Sequence, residues 1–329
     1  MRKSNLIDIY ILEILEKHAN EKHRLKQMDI IRYLEEEYEV KVHRNTLSTY
    51  LAELRENGYI KGERSIYKVN KFDDHELRLL IDGVLFGQHI PSQDAKKLIN
   101  KLKGMSELGL KNRVKNIHYV EGMNRTQNER LYENIDKIDE AIQRNRKIKV
   151  VQCRYRKDKK LAPKDYALIV NPYQLVTEKS RYYLICYVES EGSPYHGKDM
   201  ENLRIDRFWS VEILDEPAMD VRKVPGYERG FRLDEYMKEH IYMWSGKSER
   251  VTLRIKTRNI GDFIDWFGTD FSVRKQNDDY MEVSIIVNVQ AIKLWALQYS
   301  RLATVLKPKE LRDEMRQLIE NMQEAYRDE

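Results

Sequence analysis

Two arginines three residues apart, Arg204 and Arg207, are candidates for binding a phosphate. Guanidinium groups hold phosphates through paired, forked hydrogen bonds, so two of them can grip one phosphodiester or a terminal phosphate. Tyr155, Tyr182 and Tyr183 precede the pair in strand-like stretches, and their rings can stack on nucleobases. We expect these five residues to bind a nucleic-acid ligand. The alternative for Tyr183 is a place in the hydrophobic core.

Residues 144–164 differ from the rest of the chain, because they carry ten lysines and arginines against a single acid, Asp158. The basic residues are Arg144, Arg146, Lys147, Lys149, Arg154, Arg156, Lys157, Lys159, Lys160 and Lys164. Clustered basic residues favour phosphate binding, whereas the alternative is a solvated edge strand protected by its charge. His196, in the loop before the arginine pair, is a further candidate for the pocket wall or a simple exposed histidine.

A second group of polar residues is suited to contact with duplex DNA. Arg44, Asn45, Ser48 and Thr49 fall largely on one side of a predicted helix whose other side carries leucines at i, i+4 and i+7. Short polar side chains near the N-terminus of a helix in the major groove reach base edges or phosphates. Arg64, in a predicted turn, could enter the adjacent minor groove or hold a phosphate.

The elements that carry this second group can be derived from hydrophobic periodicity. Residues 1–70 contain three apolar-striped helices followed by two short strands, which the turn Gly62–Ser65 joins. This is the order of a winged helix-turn-helix. The alternative is a three-helix domain for protein contacts, since 13 bases stand against 12 acids in this segment.

Residues 71–143 are predicted to be helical throughout and to connect the N-terminal domain with the strands beyond residue 143. Apolar residues at near-heptad spacing mark a helix at about 127–144. The apolar stripes of this connector indicate either intramolecular packing or dimerisation, since winged-helix regulators commonly bind two half-sites as dimers.

Residues 144–215 are predicted to form the strands of a small barrel. Their ordered motifs resemble those of the WYL-domain family of bacterial regulators. The matching elements are a strand-end tyrosine (Tyr155), Pro-x-x-Leu (Pro172–Leu175), the name-giving tripeptide (Tyr182–Leu184) and Arg-x-x-Arg (Arg204–Arg207). Tyr182 departs from the usual tryptophan, which shrinks the aromatic surface. The resemblance implies an Sm-like barrel that binds nucleic acid, often single-stranded, as effector or substrate.

The C-terminal part completes a multidomain α+β prediction. Residues 216–249 show no clear period and are predicted to be a linker. Residues 250–329 alternate in βαββαβ order with a closing helix, which predicts a ferredoxin-like module. The resemblance extends to this module, which in the WYL family supports dimerisation and ligand binding.

Composition and missing motifs argue against several classes of function. The two cysteines, Cys153 and Cys186, are far apart, and the eight histidines have no metal-ligand spacing. Neither a signal-peptide core nor an apolar run long enough to span a bilayer occurs, so we expect a cytoplasmic protein without a membrane partner. No phosphate-binding glycine loop or nucleophile elbow is found. We therefore expect no enzyme activity and no cofactor.

The expected function is that of a ligand-responsive transcription factor. Its expected partners are a double-stranded operator, a single-stranded nucleic acid or nucleotide effector, and a second copy of the chain. Two alternatives remain: an accessory nucleic-acid-binding protein that modulates an anti-phage or CRISPR-type effector, and a protein-interaction scaffold. The predicted recognition helix favours the transcription factor.

Overall fold

The computed structural model describes residues 6–19, 23–70, 72–105, 125–191 and 199–327. The chain divides into two compact units, Met1–Met123 and Asn124–Glu329. Helices and several antiparallel sheets make the protein a mixed α+β structure.

Three helices and a hairpin open the first unit. The elements are α1 (Ile7–His18), α2 (Gln27–Tyr38), α3 (Arg44–Glu56), β1 (Ile60–Lys61) and β2 (Tyr67–Lys68). The leucines on one side of α3, Leu47, Leu51 and Leu54, are buried in the core that α1 and α2 share. Because an amphipathic helix buries one stripe, this packing directs the opposite, polar side of α3 to solvent.

The hairpin is fixed to the end of α3. Leu25 and Ile66 exchange backbone hydrogen bonds of 2.9 and 2.8 Å, an isolated β-bridge beside the hairpin. Gly62 has φ +86°, and a Cβ there would lie 1.9 Å from the carbonyl oxygen of Ser65, so only glycine fits. Arg55 Nη2 donates to the Gly62 carbonyl at 2.9 Å. Helix α3 and the turn are therefore held as one body.

Two further helices complete the described part of this unit. They are α4 (Asp74–Phe86) and α5 (Ser92–Gly104). Asp73 caps α4, since its Oδ1 accepts the backbone N–H groups of His75 at 2.7 Å and Glu76 at 2.9 Å. The helices bury one apolar face between them, while Leu79 and Phe86 stay exposed on α4. Residues 106–124 of the predicted connector lie outside the described residues.

A five-stranded antiparallel sheet begins the second unit. The elements are α6 (Leu131–Gln143), β3 (Arg146–Tyr155), β4 (Leu161–Glu178), β5 (Arg181–Val188), β6 (Glu201–Arg204) and β7 (Phe208–Pro217). The strand order is β6-β5-β4-β3-β7. Leu131, Ile138 and Ala141 of α6 join the core of this sheet. The sequence assigns this helix to the connector, but its apolar stripe is covered by the strands that come after it in the chain.

The two edge strands of this sheet are consecutive in the chain. β6 passes directly into β7 through the 3-10 turn Ile205–Arg207. Irregularities in register interrupt β4 between Pro172 and Gln174 and β3 between Val151 and Cys153. Such bulges bend strands and increase their twist. Bent strands and linked edges are the features from which a small barrel is built.

Residues 218–247, which the sequence predicts as a linker, pack on the same sheet. They contain the 3-10 turns Val221–Lys223 and Ile241–Met243 and the helix α7 (Leu233–Glu239). Val224, Tyr236 and Met243 are buried in one cluster with Ile185 of β5. The apolar and aromatic residues that show no period in the sequence are thus core residues of an irregular layer.

A second antiparallel sheet forms the C-terminal part. The elements are β8 (Ser248–Lys256), α8 (Ile260–Phe267), β9 (Ser272–Gln276), β10 (Tyr280–Asn288), α9 (Val289–Gln298), β11 (Ala303–Lys307) and α10 (Lys309–Ala325). The strand order is β11-β8-β10-β9, with chain order βαββαβ and a closing helix. Phe263 and Trp295 fill the core between this sheet and its helices. Within the described ranges, no helix has the length and apolarity that a bilayer crossing requires.

Candidate nucleic-acid interfaces

Asp206 lies at the centre of the predicted arginine site. Its buried carboxylate accepts hydrogen bonds from Arg204 Nε at 3.0 Å and Arg204 Nη2 at 2.7 Å, and from Arg181 Nη1 at 3.3 Å. The hydrogen bond from Arg204 to Asp206 raises the pKa of that guanidinium above its ordinary value. The paired contact fixes the plane of the Arg204 guanidinium. The two hydrogens on Nη1 and the second hydrogen on Nη2 remain available to another anion.

Arg207 has a different environment. Its guanidinium carbon lies 4.5 Å from the centre of the Tyr155 ring, a cation–π contact. Tyr155, at the end of β3, is 46% exposed. Within the part of the chain that the structure describes, Arg207 forms no ion pair. Arg207 is therefore the arginine of the pair whose charge is not already matched by a carboxylate.

Both arginines line a cavity of about 890 Å³ between the first sheet and residues 243–249. The charged residues of its wall are Lys164, Arg204, Arg207, Lys247, Asp199, Glu201 and Glu249. Lys164 Nζ is positioned by hydrogen bonds to Gln152 Oε1 at 2.7 Å and Tyr166 Oη at 3.1 Å. Four cations against three acids, with the guanidinium groups together, suit a single phosphate better than a long charged backbone.

Cys153 also lines this cavity, yet its chemistry there is limited. Burial raises the pKa of the Cys153 thiol, so the protonated form, a poor nucleophile, dominates. Over the described residues, no group of three histidine, cysteine, aspartate or glutamate side chains has the arrangement of a metal site. The cavity is thus equipped for binding by hydrogen bonds and charge.

Trp244, which the sequence reasoning missed, lies in the same cavity. It is 46% exposed and belongs to residues 241–246, which we call the strap. The backbone N–H of Asn202 donates to Ser245 Oγ at 2.9 Å, and Asn202 Nδ2 donates to the Trp244 carbonyl at 3.4 Å. Tyr236 Oη in turn donates to Asn202 Oδ1 at 3.0 Å. A large aromatic ring is therefore held at the cavity by β6, where a base could stack on it.

Lys179 holds the other side of the strap. It lies in the turn between β4 and β5, and its Nζ is 4.2 Å from the ring centre of Tyr242 and 3.6 Å from that of Trp266. Burial among these rings lowers the pKa of the Lys179 amine. Tyr242, at φ 62°, also donates its hydroxyl to Gln298 Oε1 at 2.8 Å. These contacts fix the strap between the two sheets.

Half of the ten basic residues of the segment 144–164 form ion pairs with described residues, most of them with acids from outside the segment. These pairs are Arg144–Glu140, Lys147–Glu189, Lys147–Glu216, Lys149–Glu212, Arg154–Asp165 and Arg156–Asp158. Lys157, Lys159 and Lys160, in the β3–β4 turn, have no such partner within the described ranges. Unmatched positive charge is thus concentrated at this turn, beside Tyr155, and not along the whole strand.

Tyr182 and Tyr183 are not among the residues that line the cavity. Tyr182 packs against the core of the first sheet, and Tyr183 against the cluster that holds α7. Burial raises the pKa of the Tyr183 hydroxyl, as expected for a ring in a packed layer. His196 lies outside the described residues. The structure therefore brings Arg204, Arg207 and Tyr155 together and places the two neighbouring tyrosines in packing positions.

The predicted recognition helix presents its polar side as the spacing indicates. Arg44, Asn45 and Thr49 are exposed at the start of α3, and Ser48 is half-buried. Gln27, at the start of α2, joins them: it accepts from Arg44 Nε at 3.4 Å and donates to Ser48 Oγ at 3.4 Å. Sequence periodicity gave no sign of Gln27, because the contact depends on how two helices meet.

The hydroxyl groups of α3 and the turn after it differ in what they offer to DNA. Ser48 donates to the Arg44 carbonyl at 2.9 Å and Thr49 to the Asn45 carbonyl at 3.3 Å, so both hydroxyls offer chiefly their acceptor lone pairs. Arg64 is exposed in the turn between β1 and β2. The first unit thus offers hydrogen-bond donors to DNA from Arg44, Asn45 and Arg64.

Comparison with known proteins identifies the first sheet of the second unit. Residues 133–213, from α6 to β7, match the family model of the WYL domain. No curated protein matches the chain. The WYL match covers the arginine pair, Tyr155 and the helix that packs on the sheet.

Two solved structures align with nearly the whole chain. One is the proteasome accessory factor B/C (PafBC) of Arthrobacter aurescens, at 15% identity and a TM-score of 0.29, over 98% of this chain and 49% of that chain. This chain thus spans about half the length of that protein. The other is a CRISPR Cas-related protein, at 15% identity and a TM-score of 0.39, over 98% of this chain and 85% of that chain.

Proposed function

We propose that this WYL-domain protein is a DNA-binding transcriptional regulator whose cavity binds a phosphate of a single-stranded nucleic acid. The observation that carries the proposal is the cavity wall itself. It combines an arginine without an acidic partner among the described residues, Arg207, with an oriented one, Arg204. The exposed rings of Tyr155 and Trp244 lie at the same site. Fixed guanidinium groups beside exposed aromatic rings are what a phosphate and its attached base require.

The first unit supports duplex binding. Three helices and a hairpin, with an exposed polar side at the start of α3, have the geometry of a winged helix-turn-helix. We assign Arg44, Asn45, Ser48 and Thr49 to the major groove and Arg64 to the flanking backbone or minor groove. Gln27 adds a side-chain amide at the start of α2, where it could contact a phosphate.

We further propose that the protein acts as a homodimer. Leu79 and Phe86 expose large apolar side chains on α4, on a side that α5 leaves uncovered. Two subunits would bring two recognition helices to a site with two-fold symmetry. Light scattering should give about twice the chain mass of 39.5 kDa, and a monomer with and without DNA would contradict this assignment.

Mapping of bound DNA across the genome, followed by gel shifts on a recovered site, tests the regulator assignment. Arg44→Ala and Asn45→Ala should each weaken duplex binding by about 1–3 kcal/mol if the side chain reads a base. A matched control, Asn100→Ala with Lys101→Ala on α5, should leave the affinity unchanged. Equal binding of every duplex by wild type and variants would contradict operator recognition and favour the accessory-protein alternative.

A further inference from the structure

A second cavity, of about 790 Å³, adjoins the first. The two share Asp199, Gly246 and Lys247 in their walls, so they are neighbouring compartments of one groove. The second compartment is formed mainly by residues 225–240, which include α7. A ligand longer than one phosphate group could therefore extend from one compartment into the other across Lys247.

The charges of the second compartment differ from those of the first. It contains no part of the arginine pair. Of its cations, Arg229 is exposed, Arg232 is engaged by Glu235 at 2.8 Å, and Lys247 is shared with the first compartment. Asp199 and Glu239 are half-buried in its wall and form no ion pair with any residue that the structure describes. Carboxylates accept hydrogen bonds and repel phosphate, so the part of the wall formed by these two acids is suited to a neutral group that donates hydrogen bonds.

Its floor is a packed aromatic layer. Tyr236 is buried and stacks on His240, with ring centres 3.7 Å apart. Both ring nitrogens of His240 face carbonyl oxygens, Nδ1 at 2.9 Å from Tyr236 and Nε2 at 3.2 Å from Gly246. A neutral ring donates through one of these nitrogens, and that hydrogen bond acts with the ring stacking to hold the floor in place. The buried Ser248 Oγ in the same wall has no hydrogen-bond partner among the described residues and can pair with a ligand.

Glycines keep the rim of this compartment open. Gly226 and Gly230 have φ values of +88° and +101°, and a Cβ at either position would meet nothing within 4 Å. A positive φ favours glycine, and the missing side chains leave room for a flat group to approach the backbone. The compartment thus combines acceptors, a rigid floor and an open edge.

We propose that the second compartment receives a nucleobase with an exocyclic amine, from the strand whose phosphate lies at Arg204 and Arg207. The ammonium group of Lys247 then lies near the phosphodiester that joins the two parts of the ligand. Adenine, cytosine and guanine carry amines that can donate to the Asp199 and Glu239 carboxylates. Thymine and uracil have a carbonyl oxygen at C4, where cytosine has its amine, and those carboxylates repel it. This proposal rests on the proposed function and adds a base preference to it.

The test compares two pyrimidine strands that differ in this amine. The probes are tetranucleotides of dC and of dT, each with a 5′ phosphate and a 3′ fluorescein, measured by fluorescence anisotropy at fixed salt. We expect wild type to bind the dC strand about tenfold more tightly, the effect of one charge-assisted hydrogen bond. Asp199→Asn with Glu239→Gln should bring the ratio within about twofold of one, since amides can donate to thymine as well as accept from cytosine.

Control variants distinguish a failure of the base preference from a failure of the proposed phosphate site. Glu324→Gln, on the exposed end of α10, should keep the dC preference, and thermal unfolding should show that every variant is folded. Equal binding of both strands by wild type, or a preference that survives in the double variant, would overturn the base assignment. If the base assignment fails but Arg207→Glu still weakens binding of both strands, the phosphate site is supported without the base site. If no strand binds wild type, both proposals fail.

Discussion

Replacing Asp206 with asparagine is expected to destabilise the second unit by about 2 kcal/mol. The carboxylate accepts two hydrogen bonds from Arg204 and one from Arg181. Hydrogen bonds to charged groups contribute about 1.5–3 kcal/mol each when they are buried. Here the two arginine side chains keep 32% and 23% of their surface exposed, so solvent screening reduces the sum, and asparagine retains one acceptor oxygen.

Scanning calorimetry of the full chain measures this loss. For a unit of this size, about 2 kcal/mol corresponds to a fall in Tm of about 4–8 °C. Asp215→Asn is the matched control, because Asp215 is exposed on β7 and uses its backbone carbonyl to bind Arg146. An Asp206→Asn variant as stable as this control would refute the view that the carboxylate orients Arg204.

Three further predictions concern the turn, the strap and pH. Gly62→Val should abolish duplex binding in a gel shift, since a Cβ at Gly62 would collide with the Ser65 carbonyl oxygen at 1.9 Å; unchanged affinity would show that the turn is not used. Lys179→Met should lower the free energy of unfolding in urea by about 0.5–2 kcal/mol, because it removes the cation–π contact with Trp266 at 3.6 Å; an unchanged urea midpoint would show that Lys179 does not stabilise the strap. Burial lowers the pKa of His240 below its ordinary 6.5, so the unfolded chain binds its proton first as pH falls. The neutral imidazole therefore contributes stability that is full above about pH 6.5 and is lost as pH falls towards the lower folded pKa. His240→Gln should flatten this part of the pH dependence of the unfolding free energy below about pH 7; equal slopes in both proteins would contradict it.

Local patterns in the sequence predicted much of α3 and of the hairpin that follows it. The buried leucines of α3 and the glycine turn after β1 are short-range features, and periodicity or turn chemistry reveals them. The WYL motifs likewise identified the sheet that carries Arg204 and Arg207. In each case the residues lie close in sequence to the periodic pattern, turn or motif that predicts them.

Features that depend on tertiary contacts were not visible in the sequence. The basic run looked like a binding strip, yet Glu212 on β7 and Asp165 on β4 neutralise parts of it across strands. Asp206, between the two arginines, is the carboxylate that occupies Arg204. Trp244 reaches the cavity from a segment without period, because Asn202 holds its backbone in place. Pairing between distant segments carries no signature in the spacing of residues.

Binding of a short phosphorylated single strand to an Arg207→Glu variant tests the central claim most directly. This single change is preferable to reversing Arg204 as well, because a glutamate there would face the buried Asp206. Arg250→Glu, exposed on β8, serves as the control. In anisotropy titrations over a range of salt, we expect Arg207→Glu to bind at least about tenfold more weakly, with a salt slope shallower by about 0.7. Duplex affinity should not change. Single-strand affinity and salt slope equal to those of Arg250→Glu would contradict the claim that the arginine cavity binds a nucleic-acid phosphate.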